Sequence, residues 1–156
     1  MTALPSATAR SVGAVEFVER VLPGWGAGLM ALLTQLGDFW FLCVLLGLCY
    51  WQFPAERVDV AGVSVTAVGG LGLYRTLKHT FEAPRPATVP VDPIEVPGLL
   101  RPLYENAIAA GGFGFPSGHA TTATLLYVGL AVALPVGTRR QRFGAAAVLV
   151  ATVCLT

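Results

Sequence analysis

The chain has 156 residues, of which 54% are hydrophobic and only 12% charged, and its formal net charge is +1. That balance excludes an ordinary soluble domain, and one lysine among ten basic residues offers no cationic face for nucleic acid. There is room for one domain, and apolar stretches of about 20 residues, the length of a membrane helix, would use most of it.

Residues 11–22 place Val12, Val15, Val18 and Leu22 at helical spacing beside Glu16, Glu19 and Arg20. That pattern predicts an amphipathic helix lying on a membrane interface, ended by Pro23 and Gly24. The same charged residues interrupt any signal-peptide core, so targeting falls to the first membrane helix. Residues 1–24 are thus read as an interfacial segment, and 25–156 as a membrane domain. Its first spanning segment runs from about Gly26 to Tyr50, flanked by Trp25 and Trp51 at headgroup positions. After a short charged turn at Glu56 to Asp59, a second segment covers about Val60 to Leu77. Its Gly62, Gly69, Gly70 and Gly72 suit close helix packing in lipid. From Lys78 to Phe115 the chain is polar and rich in proline, with Gly111, Gly112 and Gly114 near its end, and reads as a long extramembrane loop. A third segment spans Gly118 to Val136. The basic turn Arg139, Arg140, Arg142 follows, and a fourth apolar run begins at Phe143 and has 14 residues within the chain. The expected fold is an all-α polytopic helix bundle of about four membrane segments. Cys43, Cys49 and Cys154 sit inside apolar runs as small hydrophobes.

Positive charge in short loops is retained on the cytoplasmic side, which places the Arg139 to Arg142 turn inside. The long loop between the second and third segments is then extracytoplasmic.

The chemistry lies at the two ends of that loop. Lys78 closes the second segment, and Arg85 and Pro86 follow in the pattern Lys-x6-Arg-Pro. Pro84 and Pro86 forbid a helix through Arg85, so its guanidinium can fold back toward Lys78. An anion with several oxygens suits a planar guanidinium fork beside a compact ammonium. The competing reading is that both cations snorkel to headgroups. At the other end stands Pro116-Ser117-Gly118-His119. Ser117 is a suitable N-cap, Gly118 admits close approach of a ligand to the backbone, and the free amides of a helix start attract an anion. His119, in the first turn, can protonate a leaving oxygen near neutral pH. Its competing reading is a histidine bonded to a loop carbonyl. Glu82, Asp92, Glu95 and Glu105 do not form the compact carboxylate cluster of a Mg²⁺ site and read as a solvated acidic loop. No metal or cofactor is expected.

Two ionisable residues lie within membrane segments, Asp38 and Arg75. One reading pairs them, bracing the first helix against the second. The other has Gly37 and Asp38 break the first segment, with Asp38 capping the helix that begins at Phe39.

Lys-x6-Arg-Pro followed about 30 residues later by Pro-Ser-Gly-His at a helix start resembles the first two signatures of the type-2 phosphatidic acid phosphatase superfamily, which includes the vanadium haloperoxidases. The resemblance covers the chain from about Leu36-Gly37-Asp38 onward. It implies that Lys78, Arg85, Ser117 and Gly118 bind phosphate, and that His119 protonates the leaving group. Pro86 and Pro116 would shape the two motifs. It implies a membrane phosphatase acting on a phosphate monoester or diphosphate, such as a phosphatidic acid or a polyprenyl diphosphate, through a phosphohistidine intermediate. The complete family fold has five or six membrane segments. The family's third signature, Ser-Arg-x5-His-x3-Asp, which supplies the nucleophilic histidine, does not occur in the 156 residues. The only histidines are His79 and His119, and His79, inside the first motif, makes a poor substitute nucleophile. The sequence therefore reads as incomplete at its C-terminus and inactive as it stands. A lipid phosphotransferase using the same site, and a phosphate-binding membrane protein without catalysis, are the other readings.

Overall fold

The computed structural model describes residues 24–83, 91–109 and 111–155. The expected interfacial helix at 11–22, and Arg85 and Pro86 of the first motif, lie outside the described residues.

The described chain is all-helical, with six α-helices: α1 (Gly24–Thr34), α2 (Phe39–Gln52), α3 (Arg57–Phe81), α4 (Arg101–Ile108), α5 (Gly118–Ala133) and α6 (Arg139–Leu155). Short 3-10 turns at Gln35–Gly37, Pro54–Glu56 and Pro93–Glu95 link some of them. Two compact units result, one holding the described residues up to Leu32 with those of Glu82–Phe115, the other Leu33–Phe81 with Pro116 onward.

The first unit has a small core of Ala27 and Ala31 with Val91, Val96 and Tyr104. Glycine at 28 is required by packing, because a Cβ there would stand 2.9 Å from the Leu100 side chain. The Tyr104 hydroxyl donates to the Val91 carbonyl at 2.8 Å and accepts from the Val91 amide at 3.2 Å, clasping an otherwise irregular strand of chain. Arg101 donates to the Ile94 carbonyl at 3.1 Å. Glu82 takes the left-handed conformation (φ 43°) that often ends a helix, and the chain turns away from α3. The Ala83 carbonyl then accepts from the Gly114 amide at 2.7 Å beside an isolated Ala83–Phe115 bridge, closing the long loop at its base. The loop expected from Lys78 to Phe115 thus holds the last turn of α3 and all of α4. Pro102 sits in the first turn of α4, where a missing amide proton costs nothing.

In the second unit α5 lies between α3 and α6. Leu126, Ala123 and Val60 are almost completely buried at its centre. Small residues set the approach: a Cβ on Gly129 would come within 2.8 Å of Val63 Cγ1. The helices also satisfy their own hydroxyls. On α3, Ser64, Thr66, Thr76 and Thr80 each donate to the carbonyl four residues earlier, a habit suited to surroundings without water. The start of α6 carries a capping box: the Gln141 side-chain oxygen accepts from the Thr138 amide at 2.9 Å, and the Gln141 amide donates to the Thr138 hydroxyl at 3.3 Å. Arg139 and Arg140, expected in a turn, are therefore the first helical residues of α6.

The expected first span, Gly26 to Tyr50, is interrupted at Gln35–Asp38. One element, Pro54–Phe81 with 28 residues, is long and apolar enough to cross a membrane. A second is reached only if Gly24–Gly37 and Phe39–Gln52 count as one broken span. The apolar α5 has 16 residues and α6 has 17. The expectation of four spans is therefore met by helix length in one or two elements.

Candidate functional site

The interruption before α2 gives the second unit its site. Gly37 ends the 3-10 turn and Asp38 takes the extended backbone of an N-cap (φ −72°, ψ 140°), yet its carboxylate makes no cap hydrogen bond. It turns instead to α5, where His119 Nε2 lies 2.7 Å from Asp38 Oδ1. An ionised carboxylate only accepts, so Nε2 carries the proton and Nδ1 faces away from the pair. Two more contacts seat the interrupted segment on the same helix. The Tyr127 hydroxyl donates to the Leu36 carbonyl at 2.6 Å, and the Thr122 hydroxyl reaches the Gly37 carbonyl at 3.4 Å. These side chains give acceptor groups opened by the helix break a partner inside the protein. Gly37 permits the contact, because a Cβ on it would sit 2.9 Å from His119 Cβ and 2.8 Å from Val153 Cγ1.

Of the two readings of Asp38, the helix break with Asp38 at the N-cap position is present without a side-chain cap bond, and the pairing with Arg75 is corrected by this geometry. His119 occupies the carboxylate, and Arg75 lies exposed on α3.

Ser117 is the N-cap of α5, its hydroxyl oxygen accepting from the Ala120 amide at 3.3 Å and its carbonyl from the Thr121 amide at 3.1 Å. Those two bonds use the third and fourth amides of the helix. The first two, of Gly118 and His119, have no protein acceptor among the described residues and stand where an anion would be held. Pro116 precedes the cap and keeps Phe115 extended.

Lys78, in the last turn of α3, donates from Nζ to the Tyr74 hydroxyl at 2.7 Å. The same phenol oxygen lies 3.0 Å from where a Gly118 Cβ would be. The Tyr74 hydroxyl is therefore near both the Lys78 ammonium and the amide-bearing start of α5. His79 follows Lys78 and is exposed. Among the described residues no group of three or more His, Cys, Asp or Glu could hold a metal ion. The donor set of ammonium, amides and imidazole is suited to an oxyanion.

Sequence reasoning did not single out Tyr74, Thr122 or Tyr127. Tyr74 had a readable signal, since four residues before Lys78 on a helix is the spacing of side-chain neighbours.

The family model of the PAP2 superfamily matches residues 59–156, which takes in both motifs, α3 from its third residue, and α4 to α6. Neither a curated protein nor a solved structure matches the chain.

Proposed function

The chain belongs to the PAP2 superfamily, and from that premise we propose that it forms the phosphate-binding and proton-donating half of a membrane phosphatase acting on a lipid-borne phosphate monoester or diphosphate. The observation that carries the reading is that the Tyr74 hydroxyl, bonded to Lys78, lies against Gly118 at the start of α5, with His119 in the same first turn.

Phosphoryl transfer needs its reacting group positioned and the charge on the equatorial oxygens neutralised. Lys78 supplies a full positive charge and the Gly118 and His119 amides supply oriented donors at a helix start. By the family resemblance, Arg85 of the Lys-x6-Arg-Pro motif would add a guanidinium fork to that phosphate. Asp38 holds the His119 ring through Nε2, fixing its tautomer, so that a protonated ring presents Nδ1–H to the leaving oxygen. The nucleophile of a phosphohistidine mechanism is a second histidine, which the 156 residues supply only as His79, beside Lys78 and without a carboxylate at short fixed spacing other than Glu82. Phosphate binding without turnover by these residues alone is the second reading, and the missing third signature favours it.

Lipid surroundings are supported by the surface. Trp51, Val58, Val65, Val68 and Val132 are each at least two-thirds exposed or close to it, and the hydroxyls of α3 turn inward on the backbone. The first turn of α6 also carries Arg139, Arg140 and Arg142, against the helix dipole. Arg142 donates to the Leu134 carbonyl at the end of α5 and Arg139 packs over the Phe143 ring, and the cluster as a whole fits retention on the cytoplasmic side. The long loop and the phosphate site then face away from the cytoplasm, on a bundle of about four membrane segments.

The test is binding of a vesicle-borne phosphatidate to the purified chain. Binding that is weakened by Lys78→Gln and Ser117→Ala supports the reading. Equal binding of a phosphate-free lipid such as diacylglycerol would remove it.

A further inference from the structure

Tyr74 and Lys78 lie one turn apart on α3 and share a face. The Lys78 ammonium is 2.7 Å from the phenol oxygen and 5.1 Å from the ring centroid, so it sits beyond the hydroxyl edge. The contact is a hydrogen bond in which the phenol accepts. A hydroxyl that accepts still has its own proton to give, and among the described residues no acceptor for the Tyr74 proton is present. The same oxygen lies 3.0 Å from where a Gly118 Cβ would be. The two partnerless amides of α5 begin there.

We infer that Tyr74 is a direct phosphate ligand: its oxygen holds Lys78, and its O–H donates to an oxygen of the phosphate seated at the start of α5. This rests on the phosphate-site reading above and adds to it a residue outside both motifs. The cluster formed by Lys78, Tyr74 and the Gly118 and His119 amides consists of donors only, which matches the three terminal oxygens of a phosphate monoester. Gly118 then has two reasons to lack a side chain, the approach of the anion and the room taken by the Tyr74 hydroxyl.

Lys78 is the single lysine of the chain, so ¹⁵N-lysine labelling gives one side-chain ammonium resonance to follow. The full chain in detergent micelles is titrated with inorganic orthophosphate. In the wild-type chain the Lys78 signal shifts and saturates. Tyr74→Phe keeps the ring and removes the hydroxyl, and is expected to weaken phosphate about tenfold, the effect of one hydrogen bond to a charged acceptor, at unchanged helical circular dichroism. Phosphate binding by Tyr74→Phe as tight as wild type overturns the inference and leaves the phosphate site standing. No saturable shift in the wild-type chain, or a shift unaffected by Ser117→Ala and His119→Ala together, overturns the site itself. Gly118→Ala gives an independent arm. Its Cβ crowds the hydroxyl oxygen at 3.0 Å, a contact that Tyr74→Phe removes while the ring carbon at 3.1 Å stays, so its cost in affinity is expected to be smaller, though not abolished, in the Tyr74→Phe background. Equal cost in both backgrounds contradicts the placement of the hydroxyl.

Discussion

His119 Nε2 and Asp38 Oδ1 meet at 2.7 Å although 81 positions separate them in the chain. The carboxylate comes from an interruption between two apolar helices, and the imidazole from the first turn of the helix against which that interruption is seated. A residue with the backbone of an N-cap has been released from capping to hold the ring of the proposed general acid.

The ring and the carboxylate are both partly open, with side-chain exposures of 43% and 27%, so solvent screens much of their attraction. A double-mutant cycle of Asp38→Ala and His119→Ala, read by thermal unfolding in micelles, is expected to give a coupling of about 1 kcal/mol or less. Charge reversal at Asp38 and Arg75 together is expected to rescue nothing. Recovery of stability in that double reversal would show that Arg75, and not His119, is the partner.

Gly37 and Gly62 should respond in opposite directions to the same substitution. A Cβ at 37 meets Val153 at 2.8 Å and His119 at 2.9 Å, whereas at 62 it meets nothing within 4 Å. Gly37→Ala is expected to cost about 1–3 kcal/mol through overpacking and to loosen the Asp38–His119 contact. Gly62→Ala is expected to be neutral or to stabilise by about 0.5–1 kcal/mol, because alanine loses less backbone freedom in a helix. Denaturation of both variants under one set of conditions decides it, and equal effects would contradict the packing described.

Tyr104 provides a pH test in the first unit. Burial, with a smaller contribution from the charge of Asp92, raises its phenol above the ordinary value, against the lowering effect of its hydrogen bond with Val91. The fold therefore favours the neutral phenol. Its stabilising contribution is complete below the unfolded value of about 10 and is lost as pH rises through the higher folded value. In an alkaline absorbance titration, the wild-type minus Tyr104→Phe difference is expected to show one phenol ionising late. A difference curve centred at or below the ordinary tyrosine value would refute the assignment. At neutral pH, Tyr104→Phe is expected to cost about 1 kcal/mol, the usual net worth of one hydrogen bond.

Turnover provides the sharpest functional test. The 156 residues contain no Arg-x5-His-x3-Asp, and the purified chain is expected to bind phosphate without releasing it from phosphatidate. Release that disappears in His119→Ala would mean that these residues complete the reaction, with His79 as the remaining imidazole candidate.

The sequence carried the helices that depend on composition and on local chemistry. The apolar runs of α3, α5 and α6 are long enough to read, and Ser117 before Gly118 marks a helix start because a short hydroxyl side chain can reach the amides ahead of it. The break at Gly37 and Asp38 was one of two readings open to the sequence. Helix α4 was hidden, since its eight residues begin beside prolines and contain no apolar run. The capping box Thr138 to Gln141 is legible by its spacing, although the arginines between give the same stretch the look of a basic turn.

What the sequence determined by itself is the chemistry available: a lysine closing one helix, a serine-capped glycine and histidine opening another, and a composition that is 54% hydrophobic. What only the tertiary structure decided is the company these groups keep. Asp38 could have met Arg75 or His119 on charge alone, and the spacing of Tyr74 before Lys78 marked a neighbour on α3 without showing its approach to Gly118. Those choices depend on which helix faces touch, and helix faces are selected by side-chain volume over the whole interface, as at Gly129 against Val63 and Gly37 against His119.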